Sequence, residues 1–101
     1  MSIAGYGSDR AFARTQVLEV VRTAVARVLE VEVSSVSEAT ALGPDGGADS
    51  LACVEIVELV ERGLSEALGR PVRVDDHVVA EPTSVGEVAA RVAAGIEGGA
   101  R

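Results

Sequence analysis

Residues 46–58 read GGADSLACVEIVE, and the fold turns on the junction at Ser50. Gly46 and Gly47 break any periodicity, and Asp49 brings a carboxylate that can accept from free backbone N–H groups. From Ser50 onward, apolar and acidic residues recur at helical spacing. The stretch therefore predicts a loop ending at Asp49, an N-cap, and a helix that starts at Ser50. At about 100° per residue, Cys53, Ile56, Val57, Val60, Leu64 and Ala67 share one side of that helix. Leu51, Glu55, Glu58, Arg62 and Glu66 share the other. Gly69 followed by Pro71 sets the stop after Leu68. Gly63, inside the helix, weakens it by about 1 kcal/mol relative to alanine.

Upstream, Val17, Val21, Ala24, Val25 and Val28 form one apolar stripe and predict a helix over about 12–30. Its other faces carry Arg14, Glu19, Arg22 and Arg27. Residues 31–49 predict a long loop, because Ser34, Ser35, Ser37 and Thr40 compete for backbone hydrogen bonds and Gly43, Pro44, Gly46 and Gly47 follow. Val31, Val33, Val36 and Leu42 are apolar enough to pin that loop to a core. Downstream, 70–82 predicts a linker with a short helical turn around Asp75–Val79. Ser84 with Glu87 makes a capping-box pattern. Val85, Val88, Ala89, Val92, Ala93 and Ile96 then give the stripe of a last helix over about 84–96. No repeat is present, and no strand alternation is long enough for a sheet. The expected fold class is all-α: a small four-helix bundle of three longer helices and one short helix, with a long loop between the first two. Residues 1–11 are expected to be a flexible N-terminal segment, 12–96 the folded domain and 97–101 a flexible tail.

Composition narrows the function. The 101 residues suffice for one small domain. A net charge of −7 excludes nucleic acid and anionic membranes as partners and favours basic protein surfaces. Cys53 is the only cysteine, which rules out an intrachain disulfide and a cysteine-based metal site. The N-terminal MSIAGYGSDR has no basic-then-apolar pattern, and no apolar run approaches membrane-spanning length, so a cytoplasmic location is expected. The lone His77 has no converging ligands, and no Gly-Lys-Ser/Thr follows the glycines. A triad of Ser50, His77 and an aspartate can be assembled only formally. No catalytic residue and no metal are expected.

Gly47-Ala48-Asp49-Ser50-Leu51 resembles the attachment site of acyl carrier proteins, whose pattern is Gly-x-Asp-Ser-Leu followed by an acidic amphipathic helix. Val54-Glu55-Ile56-Val57 resembles the run that follows in that family. Leu42 stands where the family carries a buried Phe or Leu, and Val78 to Thr83 resembles the approach to the last helix. The resemblance covers about residues 15–96 and makes 12–96 an acyl carrier domain. It implies that Ser50 accepts a 4′-phosphopantetheine arm from coenzyme A through a separate Mg²⁺-dependent phosphopantetheinyl transferase, with Asp49 and Leu51 beside it. The arm's thiol would hold the cargo as a thioester. It further implies that Leu51, Val54, Glu55, Glu58 and Glu61 dock basic patches on a ketosynthase, an acyltransferase or ligase, or a thioesterase, the carrier itself being a monomer.

Some positions depart from the pattern. Gly46 replaces a frequent loop leucine, Ala52 a frequent acid, and the second helix runs about a turn longer than usual. The Ala/Val/Arg/Gly-rich composition resembles that of high-GC bacterial proteins. Together these features point to a polyketide or mixed polyketide–peptide pathway. Asp49, where peptidyl carriers usually have histidine, leans toward acyl cargo. Fatty-acid and aminoacyl or peptidyl carriers are the alternatives, along with a helical adaptor that carries no covalent arm and a small hydrolase using Ser50. Structural readings stand beside the functional ones: Asp49 and Ser50 as ordinary helix-start residues, the glutamates as a solvated face, and Cys53 as a core residue.

Overall fold

The computed structural model describes residues 5–42, 50–74 and 83–99, with side chains over 14–42, 51–74 and 84–96. Three helices dominate: α1 (Gly5–Leu29), α2 (Ser50–Leu68) and α3 (Val85–Gly99). A 3-10 turn at Val33–Ser35 interrupts the first connection. Two-residue strands β1 (Ala41–Leu42) and β2 (Thr83–Ser84) pair antiparallel, Ala41 opposite Ser84 and Leu42 opposite Thr83. The architecture is all-α, as the periodicity predicts. The short helix expected around 75–79 lies outside the described residues, as does His77. No helix among the described residues is long and apolar enough to cross a membrane.

Boundaries differ from expectation at two helices. α1 begins at Gly5 rather than near residue 12, since nothing from Tyr6 to Ala13 forbids helix and no proline intervenes. α3 continues to Gly99 rather than ending at 96. The two-residue ladder was not expected either. It is too short to leave an alternation in the sequence and arises where the first connection meets the start of α3.

The core is aliphatic. Val17, Val21, Ala24 and Val25 of α1 are buried, as are Ile56, Val57, Val60 and Leu64 of α2 and Val85, Val88, Ala89, Val92 and Ala93 of α3. Each fully buried Val, Leu or Ile contributes about 1.5–3 kcal/mol relative to exposure. Ala26 is buried as well, off the predicted stripe. α1 packs against both α2 and α3, so its buried arc is wider than one stripe, and a small side chain at 26 suits the added contact. At the helix ends the expected stripes fade: Val28 and Ile96 are half-buried, and Ala67 is exposed.

Of the four loop residues expected to reach the core, Val36 and Leu42 do, and Leu42 is among the largest fully buried side chains. Val31 and Val33 do not, being 47% and 37% exposed. The cap of α1 explains Val31. Glu30 adopts a left-handed conformation at φ 59, and its N–H donates to the Arg27 carbonyl while that of Val31 donates to Ala26. This is a Schellman motif, and it turns the chain out of the helix. α2 ends with the predicted Gly69, at φ 70, whose N–H donates to the Ser65 carbonyl.

Gly63 has a packing reason. A Cβ there would lie 3.0 Å from Cγ1 of Val20, so the missing side chain lets α1 and α2 approach. The helix-propensity cost of about 1 kcal/mol is offset by that closeness.

Two stability outcomes follow. Glu30→Gly relieves a left-handed conformation costing a non-glycine residue about 1–2 kcal/mol and removes an anion from a helix C-terminus. It should raise unfolding free energy by about 1 kcal/mol in urea titration, after the entropy of glycine in the unfolded chain is subtracted. Val57→Asp places an unpaired charge in the core and should abolish the cooperative thermal transition seen by circular dichroism.

Candidate functional site

Ser50 is the first residue of α2, as the sequence predicts. Asp49 lies outside the described residues. The burial of Ile56, Val57, Val60 and Leu64 fixes the rotation of α2 about its axis, and the opposite side is left to solvent. Leu51 is 69% exposed and Val54 45% exposed, and Glu55 and Glu58 are exposed with them. An apolar and acidic surface thus begins one residue after Ser50. Cys53 is half-buried and packs against the core.

Glu61 has an intrachain role. Its Oε2 accepts the Val74 N–H at 2.7 Å, and one turn on, Ser65 Oγ accepts the Val72 N–H at 2.9 Å. These two α2 side chains hold residues 72–74 against the helix, and Val72 is buried. The structure therefore brings Leu51, Val54, Glu55 and Glu58 together on one free surface and ties Glu61 to the chain's own backbone.

The first turn of α2 holds no acidic side chain. The aligned peptide dipoles leave partial positive charge at this end, where an anion is favoured. Within α2 itself the acidic residues begin with Glu55.

The connection leading into α2 is held at both ends of its described part. Arg22 donates from Nε to the Val36 carbonyl at 2.8 Å and from Nη2 to the Val33 carbonyl at 3.0 Å, while Nη1 pairs with Glu19 at 2.7 Å. Ser37 and Thr40 satisfy their own turn: the Ser37 N–H donates to Thr40 Oγ1 and the Ala39 N–H to Ser37 Oγ. Further along, the Glu38 and Thr40 carbonyls accept the N–H groups of Gly86 and Val85, both at 2.9 Å. Those donors belong to the first turn of α3, which has no intrahelical acceptor for them. A Cβ at Gly86 would stand 3.1 Å from Cβ and 3.2 Å from the carbonyl oxygen of Glu38, so glycine is what permits the approach. The predicted capping box completes the end: the Ser84 N–H donates to Glu87 Oε1 and the Glu87 N–H to Ser84 Oγ.

The Arg22 clamp was not foreseen from the sequence. Its one local signal is the i, i+3 pairing with Glu19, which by itself marks a solvated face. Gly63 and Gly86 carried a signal in standing within or at the start of helices, where a glycine often marks close approach. No cluster of three or more His, Cys, Asp or Glu able to hold a metal occurs among the described residues.

Ser50 thus opens a helix whose first turn carries no acidic side chain, beside an exposed apolar and acidic surface. The family model described as a phosphopantetheine attachment site matches residues 19–92, and the chain belongs to that family. Its prosthetic group is a covalent 4′-phosphopantetheine, and the positive dipole end of α2, with no acidic side chain in its first turn, suits the phosphodiester of such a group. Comparisons with curated proteins and with solved structures give no match.

Proposed function

We propose that the protein is a non-catalytic acyl carrier, with Ser50 as the attachment point and Asp49 and Leu51 as the flanking residues that a phosphopantetheinyl transferase reads. The observation that carries this reading is the position of Ser50 as the first residue of α2, within the span matched by the family model. In the attachment step the Ser50 oxygen forms a P–O bond to the pantetheine phosphate of coenzyme A. The pyrophosphate P–O bond breaks, adenosine bisphosphate leaves, and the hydroxyl proton passes to a base of the transferase. Ser50 thus needs no base in its own chain. When bound, the arm supplies the thiol that holds an acyl group as a thioester.

Leu51, Val54, Glu55 and Glu58 form the surface offered to partner enzymes carrying basic patches: a ketosynthase, an acyltransferase or ligase, or a thioesterase. Glu61 borders that surface with its carboxylate already engaged by Val74, so it contributes charge more than contact. The pathway that best fits the sequence is a cytoplasmic polyketide or mixed polyketide–peptide route, with Asp49 favouring acyl over aminoacyl cargo.

Incubation with coenzyme A and a broad-specificity transferase should add one phosphopantetheine to the intact mass, and the Ser50→Ala protein should stay unchanged. An unmodified wild-type chain would leave the non-covalent adaptor as the better account. Hydrolysis of activated esters without coenzyme A, lost in Ser50→Ala, would instead support the hydrolase. Glu58→Lys should leave the thermal midpoint within about 2 °C of wild type, as expected for a solvent-facing substitution. The same change should slow acyl transfer by a partner enzyme several-fold at low salt and less at high salt.

A further inference from the structure

Val54, Glu58, Glu61 and Ser65 stand at i, i+4, i+7 and i+11 of α2 and so form a single stripe along it. The stripe changes character halfway. Val54 and Glu58 are exposed, whereas Glu61 and Ser65 are only partly so. The second half is covered by the chain itself. Glu61 Oε2 accepts the Val74 N–H at 2.7 Å, and Ser65 Oγ accepts the Val72 N–H at 2.9 Å. Residues 72–74 therefore lie along the stripe, and one turn separates Glu58 from the residue that holds Val74.

The two bonds also fix how the segment faces. They engage alternate residues, and the side chains alternate as they do in extended backbone. Val72 is buried, Arg73 is exposed, and Val74 is half-buried against the core. Both bonds are partly shielded from water, which strengthens them, and the carboxylate acceptor makes the stronger of the two.

We propose that the docking surface continues from Leu51–Glu58 of α2 onto residues 72–74, with Glu61 and Ser65 as the positioning residues that hold the added part in place. The inference rests on the reading of α2 as the surface offered to partner enzymes. Continuity carries it: a partner that covers Val54 and Glu58 meets Arg73 and the open part of Val74 next. Glu61 acts on recognition through Val74, beyond the long-range pull of its charge. Ser65, which has no charge, acts only in this way. Arg73 puts a cation at the end of a strip whose other members, Leu51, Val54, Glu55 and Glu58, are apolar or acidic. The fitting partner is thus basic opposite Glu55 and Glu58 and carries no cation opposite Arg73.

The test uses the full chain, ¹⁵N-labelled, and the broad-specificity phosphopantetheinyl transferase. Titrated without coenzyme A, the enzyme should shift the amides of Leu51, Val54, Glu58, Arg73 and Val74 together. In steady-state attachment with coenzyme A, Ser65→Ala should raise the KM for the carrier about fivefold and leave kcat unchanged. Lost charge cannot account for that rise. Glu61→Ala should behave alike, and its rise should persist at high salt. Glu61→Gln keeps an oxygen that can accept the Val74 N–H. At high salt, where charge is screened, its KM should return to the wild-type value. Should an alanine variant fail to fold, the wild-type amide titration decides alone. Shifts confined to residues 51–58, an unchanged KM in folded Ser65→Ala, or equal KM values for Glu61→Gln and Glu61→Ala at high salt would overturn the inference and leave attachment at Ser50 standing. A wild-type chain that the transferase does not modify would overturn that reading and the inference with it.

Discussion

Burial of Ile56, Val57, Val60 and Leu64 against α1 is the constraint on which the molecule's surface depends. Those four side chains fix how α2 is rotated about its axis. Once the rotation is set, Leu51, Val54, Glu55 and Glu58 have nowhere to go but solvent. α1 can serve as the common wall because its side chains are small: Val21 and Val25 have no exposed surface, and Ala24 and Ala26 have almost none. Close helix approach follows, and at Gly63 it leaves a Cβ only 3.0 Å from Val20. A bundle with so few aromatic side chains gains its packing from proximity of backbones, which makes the smallest residues the ones with least freedom to change.

The first connection solves a different problem. A long stretch of non-helical backbone carries many N–H and C=O groups, and each needs a partner or water. Here the partners come from the helices themselves. The Arg22 guanidinium takes two carbonyls, and the free N–H groups of α3 take two more. The loop's unmet acceptors and the helix's unmet donors thus cancel each other. The same contacts join α1, the connection and the start of α3 into one unit, with Val36 and Leu42 sealing its underside.

Much of this was legible in the residues. The buried stripes of all three helices, the Gly69 stop, the Ser84–Glu87 box and the helix start at Ser50 follow from periodicity and capping, which are local. What failed depends on tertiary placement. Val31 and Val33 look as apolar as Val36, but the left-handed turn at Glu30 sends the chain outward before Val36 returns. Nothing in a glutamate announces that conformation. Ala67 falls on the core side of the helical wheel, yet the helix outruns its neighbours before reaching it. Glu61 reads as one more surface acid, and only the return of residues 72–74 along α2 gives its carboxylate a backbone partner. The serine and its helix were legible because their signal is contiguous. The Arg22 clamp was hidden because its partners are carbonyls, which leave no mark in a sequence.

The division of α2 into an uncharged first turn and an acidic remainder has an electrostatic logic on the proposed reading. Ser50 and Glu55 are five residues apart, about 7.5 Å along the axis at 1.5 Å per residue. Across water, two unit charges at that distance repel by about 0.5 kcal/mol. A helix N-terminus favours an anion by about 0.3–1 kcal/mol. The two terms nearly balance, so Glu55 does not by itself oppose a phosphodiester at Ser50. The same spacing keeps Glu55 and Glu58 within a Debye length of about 8–10 Å of the arm's root, close enough that a basic partner drawn to them arrives where a tethered thioester begins.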